Sequence, residues 1–305
     1  MKQQRVNMAS NKLDELLNDN QSGSHIINEI SLKLLSEQLE ELQPQTDDLE
    51  TLYKSVQATS KSILKQHPTM TLIRKSHNSF FNYFKRLLKT DKEDADVLQS
   101  LQEKIEQIID ELAHKRKKII TTGSRIIANS NKVMTISNSN LVKDIISKAQ
   151  YQKRRFEVYS LISQPPGEGI QLARECDQNG IRTTVIADSQ MGVFMEEMNL
   201  VIIGADRIYE DGFINKSGTL PLCLVANHYN VPVYLVSETD KILLESQRSI
   251  KQKQQNTREV FIPDSGNIHV DNFYFERIPL SCIHKVICED GAFETFEFID
   301  WYLKE

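Results

Sequence analysis

Leu200-Val-Ile-Ile-Gly-Ala-Asp-Arg-Ile-Tyr-Glu-Asp-Gly-Phe-Ile-Asn-Lys-Ser-Gly-Thr219 is the stretch on which the reading of this 305-residue chain turns. An apolar run of strand character ends at Gly204 and delivers Asp206 to its carboxyl end. A turn at Asp211-Gly212 follows, then Asn215 and Lys216, then Gly218-Thr219 at the start of a helical run. One loop thus gathers a carboxylate, an amide, a cation and a helix N-terminus. A glycine beside a helix start lets backbone N–H groups approach an anion, and the helix dipole favours negative charge there. Spacing alone leaves a second reading open, an ordinary strand–loop–helix connection whose aspartate caps a turn, because Gly, Asp and Asn populate such loops anyway.

Around this stretch, strand-like and helix-like runs alternate from Lys132 onward. Strand character falls on Val133–Ser137, Phe156–Ile162, Thr183–Ala187, Leu200–Gly204, Val231–Ser237 and His284–Cys288. Helical patterns fall between them on Asn140–Ala149, Glu168–Gln178, Ser189–Glu197 and Thr219–Tyr229. Such alternation predicts an α/β fold, a Rossmann-like, doubly wound, mostly parallel sheet with helices on both faces. Sheets of this kind bind ligands beyond the carboxyl ends of their strands. Residues 246–270 break the alternation as a polar excursion, and no internal repeat is visible.

The first 115 residues read differently. Ile27, Ile30, Leu34, Leu35, Leu39 and Leu42 share one helical face. Thr46-Asp-Asp-Leu-Glu offers a helix start, with Asp47 and Asp48 at the positive end of the dipole. That helix stops before Pro68; a third pattern covers Leu72 to Leu88, and a fourth runs from near Asp91 through Leu112. No strand pattern occurs here. The expected organisation is a flexible polar arm over 1–24, an all-helical N-terminal domain over 25–118 and the Rossmann-like C-terminal domain over 119–305.

Composition narrows the function classes. Hydrophobic residues make up 39% and charged residues 26%, as in soluble globular proteins. A net charge of −5 argues against a protein that coats nucleic acid. His114-Lys-Arg-Lys-Lys118 reads as a solvated helix end, and Phe80, Phe81, Tyr83 and Phe84 as core rather than a base-stacking platform. No signal peptide or membrane span is evident. Cys176, Cys223, Cys282 and Cys288 show no zinc spacing, and packing is the expected role of Cys176 and Cys223. These features predict a cytoplasmic protein with reduced thiols, without cofactor or metal.

The stretch GADRI…DGFINKSGT resembles the GAD-x-I…NG-x-x-NK-x-GT signature of the α, β and δ subunits of translation initiation factor 2B. Ribose-1,5-bisphosphate and methylthioribose-1-phosphate isomerases share that signature. Further blocks agree in order: Val158-Tyr-Ser-Leu-Ile-Ser-Gln-Pro-Pro-Gly-Glu-Gly169, Gly180-Ile-Arg-Thr-Thr-Val-Ile-Ala-Asp188, Val231-Pro-Val-Tyr-Leu-Val-Ser-Glu238 with Lys241 beyond, and Phe275-Glu-Arg-Ile-Pro279 with Ile287-Cys-Glu-Asp-Gly291. The resemblance covers roughly residues 117–303. It implies a site built from Ser137, Ser139, Gly167, Gly169, Asp206, Asn215, Lys216 and Lys241.

The chain departs from the isomerase pattern where the chemistry is done. Their MTHC-x-S strand reads Val133-Met-Thr-Ile-Ser-Asn-Ser139 here, so Ser137 stands at the cysteine position and Ile136 at the histidine. A thiol of pKa ~8.5 can shuttle a proton near neutrality, whereas a serine hydroxyl needs an adjacent base. Gln164 also replaces the arginine of the loop after the second strand, removing a five-donor fork suited to phosphate. The expectation is a regulatory or scaffold protein of 2B type, with a sugar-phosphate or nucleotide site and without catalysis. Its implied partners are initiation factor 2 or other 2B-type subunits, in a homodimer or higher oligomer. The alternative is an aldose–ketose isomerase using Asp206 with a non-cysteine partner.

Overall fold

The computed structural model of the chain describes residues 12–19, 23–42, 48–68, 70–90, 93–243 and 254–304. They form two compact units, Met1–His114 and Lys115–Glu305.

The first unit is helical: α1 (12–18), α2 (Ser24–Leu42), α3 (Leu49–Gln66), α4 (Thr71–Leu87) and the beginning of α5 (Asp94–Ser124). No strand occurs among its described residues. Asp48 caps α3 by accepting from the Glu50 and Thr51 N–H groups at 2.8 and 3.2 Å; Asp47 lies outside the described residues. The apolar stripes of these helices meet in a core containing Leu35, Leu39, Val56, Phe80, Phe84 and Leu101. Tyr53 packs edge-on against Phe81 and Phe84, with centroids 5.6 and 5.2 Å apart. Those rings are core, and Tyr83 lies under the cations of Arg86 and Lys104. Of the expected arm, α1 buries Leu16 against Ile27, Leu34, Ile63 and Ile73; 1–11 and 20–22 lie outside the described residues.

The basic run after His114 is not a solvated helix end. Helix α5 continues to Ser124 and buries Ile119. Lys115 therefore pairs with Asp240 and Glu289, and Arg116 with Asp144 at 2.8 Å and Glu238 at 3.5 Å. Lys117 and Lys118 alone stay exposed.

The second unit is built on seven strands: β1 (Lys132–Thr135), β2 (Glu157–Leu161), β3 (Arg182–Ile186), β4 (Leu200–Ile203), β7 (Val233–Val236), β9 (Lys285–Cys288) and β10 (Gly291–Glu294). Their order is β10-β9-β7-β4-β1-β2-β3, parallel except for β10. The central strands are mostly buried, Leu200–Ile203 throughout, because both sheet faces are covered there, whereas the edge strands β3 and β10 are partly exposed. Val133 and Leu200 face one core with α6 (Asn140–Tyr151) and α7 (Gly169–Gln178). Met134 and Val201 face the other, with α9 (Thr219–His228) and α10 (Thr295–Lys304). All four cysteines are buried and unpaired to one another, as packing residues are.

Two stretches differ from the sequence expectation. The helix expected at Ser189–Glu197 is only α8 (Met191–Phe194), flanked by 3-10 turns, with Met191, Met195 and Met198 anchoring it in the core. The loop expected between Gly204 and Gly218 is mostly strand: β5 (Arg207–Ile208) and β6 (Gly212–Lys216) form a hairpin. A further strand, β8 (Phe275–Pro279), pairs with β6 and completes a three-stranded antiparallel sheet. These strands contribute one residue each, Ile208, Phe213 and Ile278, to the core beneath them and are too short to stand out by periodicity. Of the polar excursion, 246–253 lie outside the described residues.

Candidate functional site

The strand order reverses between β1 and β4, so the chain leaves these neighbours in opposite directions, the place at which sheets of this kind bind ligands. Beyond β1, Ser137 adopts a left-handed backbone at φ 72°. Its N–H donates to Ser163 Oγ at 2.7 Å and its hydroxyl donates to Glu168 Oε1 at 3.1 Å. Ser139 caps α6 and packs against Gly204, where a Cβ would come within 2.9 Å of its Oγ. The ends of β1 and β4 therefore touch.

Beyond β2, the Ser163–Glu168 loop is held by Asp188, which accepts from the Ser163 and Gln164 N–H groups, both at 2.8 Å. Gly167 turns the loop, its N–H donating to Ser163 O at 3.1 Å. Gly169 cannot carry a side chain, since a Cβ there would fall 1.8 Å from Leu161 O. That close approach begins α7 and aims Glu168 at two partners. One oxygen takes the Ser137 hydroxyl and the other pairs with Lys216 Nζ at 3.0 Å.

Lys216, at the end of β6, is buried. It also donates to Pro165 O and lies 4.6 Å from the Tyr274 ring centroid. Burial pushes its ammonium below the ordinary range, opposed by the charge and hydrogen bond of Glu168. Asn215 is turned inward, donating to Thr219 Oγ1 at 3.0 Å. Gly218, at φ 99°, starts α9 in a conformation open to glycine. The α9 N-terminus holds the chain's own Glu276, whose Oε1 accepts from Gly218 N and Leu220 N at 2.7 and 2.9 Å.

Beyond β4 stands Asp206, half-buried, its N–H donating to Ile214 O at 2.9 Å. Burial raises its carboxyl pKa above the usual range, countered by the charges of Lys241 and Arg207. Lys241, beyond β7, donates to Ala205 O at 2.8 Å and pairs with the buried Glu238 at 3.4 Å. Glu238 in turn pairs with Arg116, giving a charge line from α5 to the end of β4.

The expected residues thus fall into two groups. Ser137, Gly167, Gly169 and Lys216 meet around Glu168; Asp206 and Lys241 meet at the ends of β4 and β7. Ser139 and Asn215 spend their hydrogen bonds on helix starts. Sequence reasoning missed Glu168 and Glu276 as site members, although both lie inside quoted motif blocks. Among the described residues, no cluster of His, Cys, Asp and Glu could hold a metal ion.

The fold defines an α/β protein with a doubly wound, mostly parallel sheet whose strand order reverses between β1 and β4. The chain belongs to the Initiation factor 2 subunit family, whose pattern matches residues 20–295. It is 28% identical over 247 residues to an eIF-2B subunit 2-like protein of Pyrococcus horikoshii, covering 80% of this chain and 83% of that one. It is 27% identical over 238 residues to a ribose 1,5-bisphosphate isomerase of Archaeoglobus fulgidus, covering 76% and 74%. The crystal structure of the Pyrococcus horikoshii OT3 translation initiation factor eIF-2B superposes with a TM-score of 0.77 at 25% identity, covering 96% and 98%. Among the described residues, no helix is long and apolar enough to cross a membrane.

Proposed function

We propose that this protein is a regulatory or scaffold subunit of 2B type that binds a sugar phosphate or nucleotide at the carboxyl ends of β1, β2 and β4 without converting it. The observation that carries this reading is Ser137 at the thiol position, with its hydroxyl committed to Glu168 at 3.1 Å. A carboxylate is far too weak a base to take the proton of an aliphatic hydroxyl outright, so the bond orients Ser137 without making it a proton shuttle. The protein acts in the cytoplasm, as a homodimer or higher oligomer, with initiation factor 2 or other 2B-type subunits as partners. The similarity to an eIF-2B subunit 2-like protein supports that assignment.

One observation favours a second reading, an aldose–ketose isomerase. The carboxyl of Asp206, raised in pKa by burial and standing beyond the end of β4, is a group that can carry a proton, and an isomerase stands among the relatives. Phosphorus NMR with ribose 1,5-bisphosphate and methylthioribose 1-phosphate separates the two. Line broadening without new resonances is the expected result. Turnover in the wild type that disappears in Asp206→Asn would sink the regulatory reading, and absence of binding by either probe would leave only an interaction module.

A further inference from the structure

Helices α6 and α7 share one core of the sheet unit, α6 through Ile145 and Ile146 and α7 through Leu172. On the polar side of that contact a cavity of about 210 Å³ opens between them. One water takes ~30 Å³ in the liquid and drug-sized ligand sites begin near ~300 Å³, so the space suits a small metabolite. Asn140, Lys143, Asp144 and Ser147 recur at helical spacing and line it from α6, with Glu175 and Cys176 opposite on α7. None of them belongs to the groups around Glu168 and Asp206.

The charges around this cavity balance. Lys143 pairs with Glu175 across the helices at 2.6 Å, and Asp144 Oδ2 accepts from Arg116 Nε and Nη2 at 3.0 and 2.8 Å. Both pairs keep capacity in hand. The Lys143 ammonium has three N–H groups and meets one carboxylate, while Asp144 keeps Oδ1 open on a side chain that is 48% exposed. Asn140 and Ser147 make no side-chain hydrogen bond to any described residue. Cys176 is wall rather than reagent, since burial pushes its thiol up to about 11. A polyol would engage the amide and hydroxyl and leave the charged groups without a counterpart. A lone anion or cation would upset the balance and meet like charge. An α-amino acid carries both signs and no net charge, and bonds to charged groups are the strong ones.

We propose that the cavity between α6 and α7 binds a free α-amino acid, its carboxylate meeting Lys143, Asn140 and Ser147 and its ammonium meeting Asp144 Oδ1. The site is independent of the sugar-phosphate or nucleotide reading of the strand ends. It gives a regulatory subunit a second input of different chemistry.

Thermal melts of the full chain with each of the twenty standard amino acids test the site, because a ligand of the native state raises Tm. Titration calorimetry then gives the affinity of those that do. At least one amino acid should bind, and n-propylamine and propionate, each carrying one of the two charges, should bind at least about 10-fold more weakly. Asp144→Asn should weaken binding about 10-fold or more, the loss expected for a hydrogen bond between charged groups. Ser147→Phe, which fills the cavity from a half-buried helix position, should abolish it, and circular dichroism shows that each variant folds. Asn140→Ala, which only shortens a side chain, should weaken binding in the same assay. Failure of all twenty to bind would make this a water-filled cleft and overturn the site. Unchanged affinity in any folded variant would place the amino acid elsewhere and overturn it as well. Binding of glycerol without any amino acid, or of propylamine or propionate as tightly as the zwitterion, would overturn the ligand class.

Discussion

The helical unit and the sheet unit both bury polar side chains, and they use them differently. In the helical unit, fully buried His77 lies between Ser31 and Ser60, whose hydroxyl oxygens are 2.9 Å from Nε2 and 2.8 Å from Nδ1. Burial lowers its pKa to about 4, so it is a neutral ring tying α4 to α2 and α3. In the sheet unit, some of the buried polar groups are charged: Lys216 and Glu238 lie at strand ends, each with a partner of opposite sign. Buried neutral networks specify packing, whereas paired charges at the carboxyl ends of strands can be rearranged by a ligand. The contrast predicts that substitutions in the first unit change stability alone and those at the strand ends change binding.

The largest expected effect is on the helical core. Phe80→Ala removes a fully buried ring that contacts Phe81 and Phe84 and should destabilise by about 3–5 kcal/mol, measured by urea denaturation. Ribose 5-phosphate affinity should not change; a parallel loss of affinity would break the division of labour. Next is His77, whose folded pKa lies below its unfolded value. Its contribution to stability is complete above about pH 6.5 and is lost as pH falls toward 4, on the order of 3 kcal/mol in all. His77→Gln should flatten the stability profile between those values, and an unchanged slope would show that another group titrates there. Smallest is Glu276→Ala, which strips the α9 start of its internal acceptor and should cost about 1 kcal/mol of stability.

Much of this was legible in the chain. The six parallel strands were visible as short β-rich runs between helical patterns, most plainly where burial on both faces demands an apolar run, as in Leu200–Ile203. The helices of the first unit were visible because one-sided burial leaves a 3.6-residue period. The GADRI and NKSGT blocks flagged Asp206, Asn215 and Lys216, and the missing thiol was evident at Ser137. Strands β5, β6 and β8 were not legible, since β6 pairs with β8 some sixty residues later and each strand has only two to five residues to show a pattern.

The sequence by itself determined the fold class, the family signature and the absence of a thiol at residue 137, because each is written in residues close together along the chain. Only the tertiary structure decided what surrounds those residues. Glu168 stands 31 positions from Ser137 and 48 from Lys216, and no local pattern links them. The sheet order that sets β1 beside β2, and the hairpin that carries Lys216 back toward them, bring the three to hydrogen-bonding distance. The carboxylate at their centre follows from that path of the backbone, to which local periodicity is blind.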